Sequence, residues 1–487
     1  MRLLATLLFA AAVLTTIAYV RPPEYDEAYS IFLTSAHARP PWPTGVFTPT
    51  QVRALFIGNP GLGQIATDLR TGDVHPPLYF WLLDQWRHIS GPGWFAARLL
   101  SVLVSLVGLI ALGWAARLLK TPVLATILIT LLAYGFAYTS ITARGFALAQ
   151  FFNLLGFALY VRHSRVGKSL PSFAAGLAFG AASFSNYLAI FTPLGLLGSQ
   201  LIIHSTRGLH ASGSRLSTVL TTSLGIACFI PADLYFFLAQ RGSRTGQFAP
   251  FHLVHALELL AKDQAAALFG GLPLYAGSFA PLVIIALAVL SIVCAIAIIK
   301  HHNAARFTPT LTLTAAATPL GLLALGVIFN NTPIEIRYCA FSLPYIGLLC
   351  ASIKPATLRN ALLFTESLGI IGLAFAPATA QPQAAAAVAA NSNAHILVLL
   401  PYGNDGVGIP GPFIAAAQPA MRIILIHGAT LPDLSAEPRV ILATLMLDDA
   451  SKTAIPKIES ELTQQWQLTA QTPLTRAYQQ RGFHQQP

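Results

Sequence analysis

The sequence has little charge. Only 10% of its 487 residues are Asp, Glu, Lys or Arg, against roughly 25% in soluble domains. So few charges cannot cover a water-facing surface, which excludes an ordinary soluble protein. Acids are the scarcest, at 18. There are four cysteines (Cys228, Cys294, Cys339 and Cys350), all within apolar runs. That excludes a disulfide framework and a CxxC metal site, and the four read as packing residues. There is no Walker sequence for phosphates and no Asp-x-Asp pair for a metal-bound nucleotide sugar. Gly61-Leu-Gly63-Gln-Ile-Ala66 imitates a dinucleotide fingerprint, but no strand precedes it, so that assignment is rejected.

Apolar residues are abundant. They make up 55% of the chain, with a mean hydropathy of +0.63, which excludes global disorder. A polytopic membrane protein remains. Eleven apolar windows mark candidate membrane helices: 3–20, 94–113, 121–139, 145–161, 170–184, 187–203, 216–236, 275–299, 310–329, 338–352 and 360–377. The fifth and tenth are short. Arg2 and the apolar core after it also fit a signal peptide, but no clear small-x-small site precedes Arg21, so the first stretch is taken as a retained helix.

The net charge of +11 sorts by side. With the N-terminus in the cytoplasm, the cytoplasmic segments hold Arg2, Arg117, Lys120, Arg162, Arg165, Lys168, Arg207, Arg215, Lys300, Arg306, Lys354 and Arg359, and no acid. The acids fall outside, except Glu366 in the last window. This is the positive-inside pattern, and it supports an odd number of spans. The basic surplus is thus a topology signal and implies no nucleic-acid partner.

Two regions lie outside the membrane: the loop 21–93, and a tail 378–487 that opens with an Ala/Gln/Pro linker from Ala378 to Asn393. Apolar runs at His395–Leu400, Arg422–Ile426 and Arg439–Leu447 predict strands, and Pro456–Gln465 predicts a helix. The tail reads as a small α/β domain close to the size that folds alone. With no cytoplasmic loop of domain size, the chemistry is expected on the outer face.

Arg21-Pro-Pro-Glu-Tyr-Asp26-Glu27-Ala-Tyr29-Ser30 follows the first span. The acid pair opens a predicted amphipathic helix, 27–37, whose apolar positions Ala28, Ile31, Phe32 and Ser35 would lie on the membrane surface. Taken alone, Asp26 and Glu27 do no more than favour the positive end of that helix. His75-Pro76-Pro77-Leu78-Tyr79-Phe80-Trp81 begins a second predicted surface helix. Tyr79 and Trp81 suit interfacial anchoring there. Arg144 stands at the outer mouth between the third and fourth spans, and Arg337-Tyr338 at the outer start of the tenth. A span-end arginine can simply snorkel. Two acids with a histidine and two arginines on one membrane face are nonetheless what a reaction with a phosphate leaving group needs. Glu366 is costly within a span and stays unassigned.

The order of these motifs, with Asn186-Tyr187 between Arg144 and Arg337-Tyr338, resembles glycosyltransferase family 39 over about residues 1–377. That family includes protein O-mannosyltransferases and the lipid A aminoarabinose transferase. The resemblance implies an α-helical polytopic membrane protein of GT-C fold with about eleven transmembrane helices, here followed by the small extracytoplasmic domain. The expected division is 1–377 and 378–487. The tail resembles nothing named, and no β-trefoil insert is present, which points to a bacterial relative in the inner membrane with its C-terminal domain in the periplasm. The resemblance further implies transfer of a sugar from a polyprenyl-phosphate carrier to a glycan, lipid or protein acceptor, inverting at the anomeric carbon. Asp26 would be the general base and Glu27 a weaker catalytic candidate. His75, Arg144, Arg337, Tyr338, Tyr79, Asn186 and Tyr187 would bind substrate or phosphate. No metal ligand set is assigned; the place for a divalent metal is beside Asp26 and Glu27. A lipid or polysaccharide flippase would instead line a central path with ionisable residues. A non-catalytic envelope assembly subunit would tolerate substitution of Asp26, His75 and Arg337.

Overall fold

The computed structural model describes residues 2–166, 169–206, 212–242, 248–301, 307–375, 385–387, 389, 396–403 and 406–482. Lys168, Arg207 and Arg306 lie outside the described residues, as does most of the Ala378–Asn393 linker. The chain forms two compact units. One comprises Met1–Ala18, Ala66–Leu82 and Arg98–Phe375; the other comprises Tyr19–Ile65, Leu83–Ala97 and Ala376–Pro487. This differs from a division at residue 377, because most of the outer loop groups with the tail.

The first unit is helical. Each of the eleven apolar windows falls on a helix or a run of helices. Among the described residues, five helices are long and apolar enough to cross a bilayer: Arg2–Val20, Trp94–Leu119, Gly277–Lys300, Thr308–Phe329 and Ala356–Phe375. Two bent pairs raise the number to seven if each is one span. Val123–Leu132 and Tyr134–Ile141 meet at 72°, with extended backbone at Ala133. Leu216–Ala227 and Ile230–Gln240 meet at 53°. The second break precedes Pro231, which has no N–H to donate back to the Ala227 carbonyl, so the helical ladder cannot run through. Three further apolar stretches, Leu170–Ser183, Tyr187–Ile202 and Ile336–Ala351, are shorter.

Ala280–His301 turns Leu282, Ile285, Ile292 and Ile299 outward, each more than half exposed. Such a surface is stable against lipid and would aggregate in water. Close backbone approach replaces hydrophobic burial as the glue between such helices. A Cβ on Gly176 would stand 2.1 Å from the Thr222 carbonyl oxygen, so Ser169–Ser183 can approach Ser212–Ala227 only with glycine there.

The second unit is built on a five-stranded sheet: β1 (Leu397–Tyr402), β2 (Ile423–His427), β3 (Arg439–Ala443), β4 (Trp466–Gln471) and β5 (Thr475–Gln480). Its order is β2-β1-β3-β5-β4, with β1 parallel to β2 and β3, and β5 antiparallel to β3 and β4. The helix Asp449–Gln465 covers one face through Ala454, Ile458 and Leu462. The other face carries Val398, Leu400, Ile423 and Ile441.

That second face is closed by two sources. One is the helix Pro410–Ala416, through Phe413 and Ile414; the other is the outer loop, through Phe47 and Val52. Phe47 exchanges backbone hydrogen bonds with Ile423 at 2.9 and 2.8 Å, which covers the open edge of β2. The Trp42 indole N–H donates to the Gly406 carbonyl at 2.6 Å. The acid-pair helix runs over Tyr25–Leu33 rather than 27–37. Its Ala28 and Phe32 pack on Val407 and Gly411. This corrects the surface-helix expectation: the apolar stripe serves a protein core and not the lipid. Arg87, buried within the second unit, ties its segments together. Its guanidinium donates to the carbonyls of Ile31, Phe56 and Pro92 at 2.9, 2.9 and 3.1 Å, and to Thr34 Oγ1 at 2.6 Å.

Candidate functional site

Within the first unit, three loops converge on one turn. The helix Gly61–Gly72 ends, and the next helix starts at Leu78 because Pro76 and Pro77 cannot donate into a continuing one. The residues between, Asp73 to Pro77, form the turn. Asp73 Oδ1 accepts the Val74 N–H at 2.6 Å and the His75 Nδ1 proton at 2.7 Å. Arg144 Nη1 lies 3.9 Å from Asp73 Oδ2, and Arg144 Nη2 lies 3.4 Å from His75 Nδ1. The Arg144 guanidinium also stands 5.8 Å from the centre of the Phe80 ring.

One carboxylate is thus shared by a guanidinium and an imidazole, all three groups mostly shielded from water. Burial alone would raise the Asp73 pKa. The His75 charge and hydrogen bond, the Arg144 charge and the Val74 N–H together outweigh it and hold this carboxyl well below the usual range.

The turn is fixed from outside. Gln240, at the end of Ile230–Gln240, donates to the Leu69 and His75 carbonyls at 3.0 and 2.9 Å. Gln240 Oε1 accepts the Tyr187 hydroxyl at 2.9 Å. Tyr187 therefore acts on His75 through Gln240. Asn186 caps the short helix Tyr187–Ile190 by accepting the Leu188 N–H at 3.1 Å. Tyr79 is buried and lies 3.0 Å from Ser101 Oγ, which donates to the Thr142 carbonyl at 2.8 Å. Tyr79 thus sets the Arg144 loop and is no interfacial anchor. A Cβ on Gly145 would lie 2.3 Å from the Ser185 carbonyl oxygen, so this loop closes only with glycine after Arg144.

Arg337 pairs with Glu335 and lies over the Tyr338 ring at 5.3 Å. Tyr338 packs on Phe146 with 6.1 Å between ring centres, next to the Arg144 loop. Of the residues singled out from sequence, the structure unites His75 and Arg144 directly and supports them with Tyr79 and Tyr187. Asp73 and Gln240 were missed. Asp73 carried one signal, its position two residues before a histidine in a turn. Gln240, 165 residues from His75, carried none.

Asp26 and Glu27 belong to the second unit, in the first turn of Tyr25–Leu33. Glu27 is buried and accepts the Glu24 N–H at 3.2 Å, which gives it a capping role. Asp26 is half-buried. Among the described residues no three His, Cys, Asp or Glu side chains gather as a metal cage.

No family model and no curated relative matches the chain by sequence. Two solved structures of ArnT from Cupriavidus metallidurans are similar to it. The apo state gives a TM-score of 0.54 and the state bound to undecaprenyl phosphate 0.50, each at 12% identity and covering 98% of this chain and 97% of that chain. At that identity the likeness shows the fold. The protein is a multi-pass membrane protein of GT-C fold, as ArnT is, with a small five-stranded C-terminal domain.

Proposed function

We propose that this protein is a membrane glycosyltransferase that moves a sugar from a polyprenyl-phosphate carrier to an acceptor on the extracytoplasmic face. The observation that carries the proposal is the His75–Arg144 pair, an imidazole and a guanidinium on one carboxylate, in a chain with the fold of a protein solved with undecaprenyl phosphate. Donors preorganised on a leaving phosphate stabilise the transition state by about 3 kcal/mol each. Arginine adds bidentate geometry.

The remaining roles rest on the family resemblance. Asp26 is the general base for the acceptor hydroxyl, and Arg337 and Tyr338 are further substrate contacts. The leaving group is already a weak base, so no strong general acid is needed. The reaction breaks the anomeric C–O bond to phosphate and forms one to the acceptor oxygen, inverting the centre. A bacterial inner membrane, with the tail in the periplasm, fits the charge sorting. Lipid A, a polysaccharide and a protein hydroxyl are all chemically suitable acceptors.

The test is turnover of a polyprenyl-phosphate sugar by protein reconstituted in liposomes. Asp26→Asn is expected to abolish it while expression, membrane insertion and thermal stability stay unchanged. A normal rate in Asp26→Asn would remove Asp26 from the mechanism. Lipid translocation without sugar transfer would favour a flippase. Surface glycans that stay normal when Asp26, His75 and Arg337 are all substituted would favour an assembly subunit.

A further inference from the structure

His75 and Arg144 present a physical problem. Arg144 Nη2 is 3.4 Å from His75 Nδ1. A guanidinium has no acceptor, and a charged imidazole has none either. Side by side and shielded from water, two such cations repel, and the histidine relieves the repulsion by giving up its proton. A neutral ring with its proton on Nδ1 has Nε2 as an acceptor, which cannot donate to phosphate.

Asp73 removes the problem. Its Oδ1 takes the Nδ1 proton at 2.7 Å, while its Oδ2 faces Arg144 at 3.9 Å. An ionised carboxylate only accepts, so Nδ1 must be the protonated nitrogen. Gln240 donates to the His75 carbonyl, the Phe80 ring stands edge to face with the imidazole at 6.2 Å between centres, and Tyr187 reaches the turn as a neutral hydroxyl through Gln240. Asp233, the acid on the Gln240 helix, accepts the Ser183 hydroxyl at 2.6 Å.

We propose that Asp73 is a positioning residue that makes His75 a phosphate donor, by holding the ring charged beside Arg144 with Nδ1–H on the carboxylate and Nε2–H directed to the carrier phosphate. This rests on the polyprenyl-phosphate reading above and adds to it a pH-dependent element. The triad carries a net charge of +1, from two cations and one anion, which matches a phosphodiester of charge −1. Loss of the ring proton brings the triad to zero, so binding weakens as pH rises through the imidazole range.

The experiment measures binding of an undecaprenyl-phosphate-linked hexose, a phosphodiester whose charge stays at −1 across the range, to the full chain in nanodiscs from pH 5.5 to 9, for wild type, Asp73→Asn, His75→Lys and the double variant. Wild type is expected to lose affinity as pH rises. Asp73→Asn is expected to move the midpoint down by about one pH unit, a tenfold loss at a pH above both midpoints. Lysine needs neither a fixed tautomer nor help to stay charged at neutral pH. His75→Lys is therefore expected to hold affinity where wild type loses it, and to restore binding in the Asp73→Asn background. An unmoved midpoint in Asp73→Asn, or a double variant as weak as Asp73→Asn, would overturn the role of Asp73 and leave the glycosyltransferase reading standing. Wild type that fails to bind at every pH would overturn both. Should Asp73→Asn not fold, the comparison of His75→Lys with wild type decides: identical pH profiles overturn the proposal.

Discussion

At the residue scale, function depends on side chains whose partners are remote in sequence. Asp73 shows how the pH logic is signed. Its carboxyl is held below the ordinary range, so what its pairing contributes to stability is present throughout neutral pH and fades only under strong acid. Asp73 itself therefore contributes nothing to a loss of carrier binding on the alkaline side. Gly145 is a second point of leverage. Gly145→Ala places a methyl 2.3 Å from the Ser185 carbonyl oxygen, and neither backbone can yield without moving Arg144. Carrier binding is expected to fall at least about tenfold while the protein still inserts and folds, as read by nanodisc binding and size-exclusion profile. Arg87 has a purely structural counterpart role. Arg87→Leu leaves three carbonyls and a buried hydroxyl without their donor. The expected cost is at least about 3 kcal/mol, seen as a lower unfolding temperature.

At the element scale, the helix Tyr25–Leu33 is the instructive case. Its apolar stripe was legible in sequence, and so was the acid pair that starts it. What the stripe packs on was not legible, because an amphipathic face looks the same whether lipid or protein receives it. The structure gives it Val407 and Gly411. The tail strands show a similar limit. The three apolar strands were found from their runs, whereas β4 and β5 were missed. β4 exposes every residue after Trp466, so it lacks an apolar alternation to detect. The short helix Pro410–Ala416 was hidden by its glycine and two prolines. An expected outcome belongs to this scale. Residues 396–482 expressed alone lack Phe47 and Val52 from one sheet face and Phe47 from the β2 edge. That fragment is expected to show poor dispersion by NMR or to aggregate, and co-expression with residues 19–65 to improve it.

At the scale of the whole molecule, composition decided the class. With so few charges, no arrangement of this chain could be soluble, and the sorting of Lys and Arg against Asp and Glu implies an orientation that is independent of any contact. The order of acid pair, His-Pro-Pro, arginine and Arg-Tyr likewise pointed to the fold that the solved ArnT structures share. These properties are legible because they are sums and spacings along the chain. Tertiary structure alone decided the rest: that Asp73 bridges His75 to Arg144, that Gln240 pins the turn from the far end of another helix, and that most of the outer loop is core to the tail domain. Such relations depend on which distant segments meet, and hydrophobic patterning states only that a face must be buried, never against what.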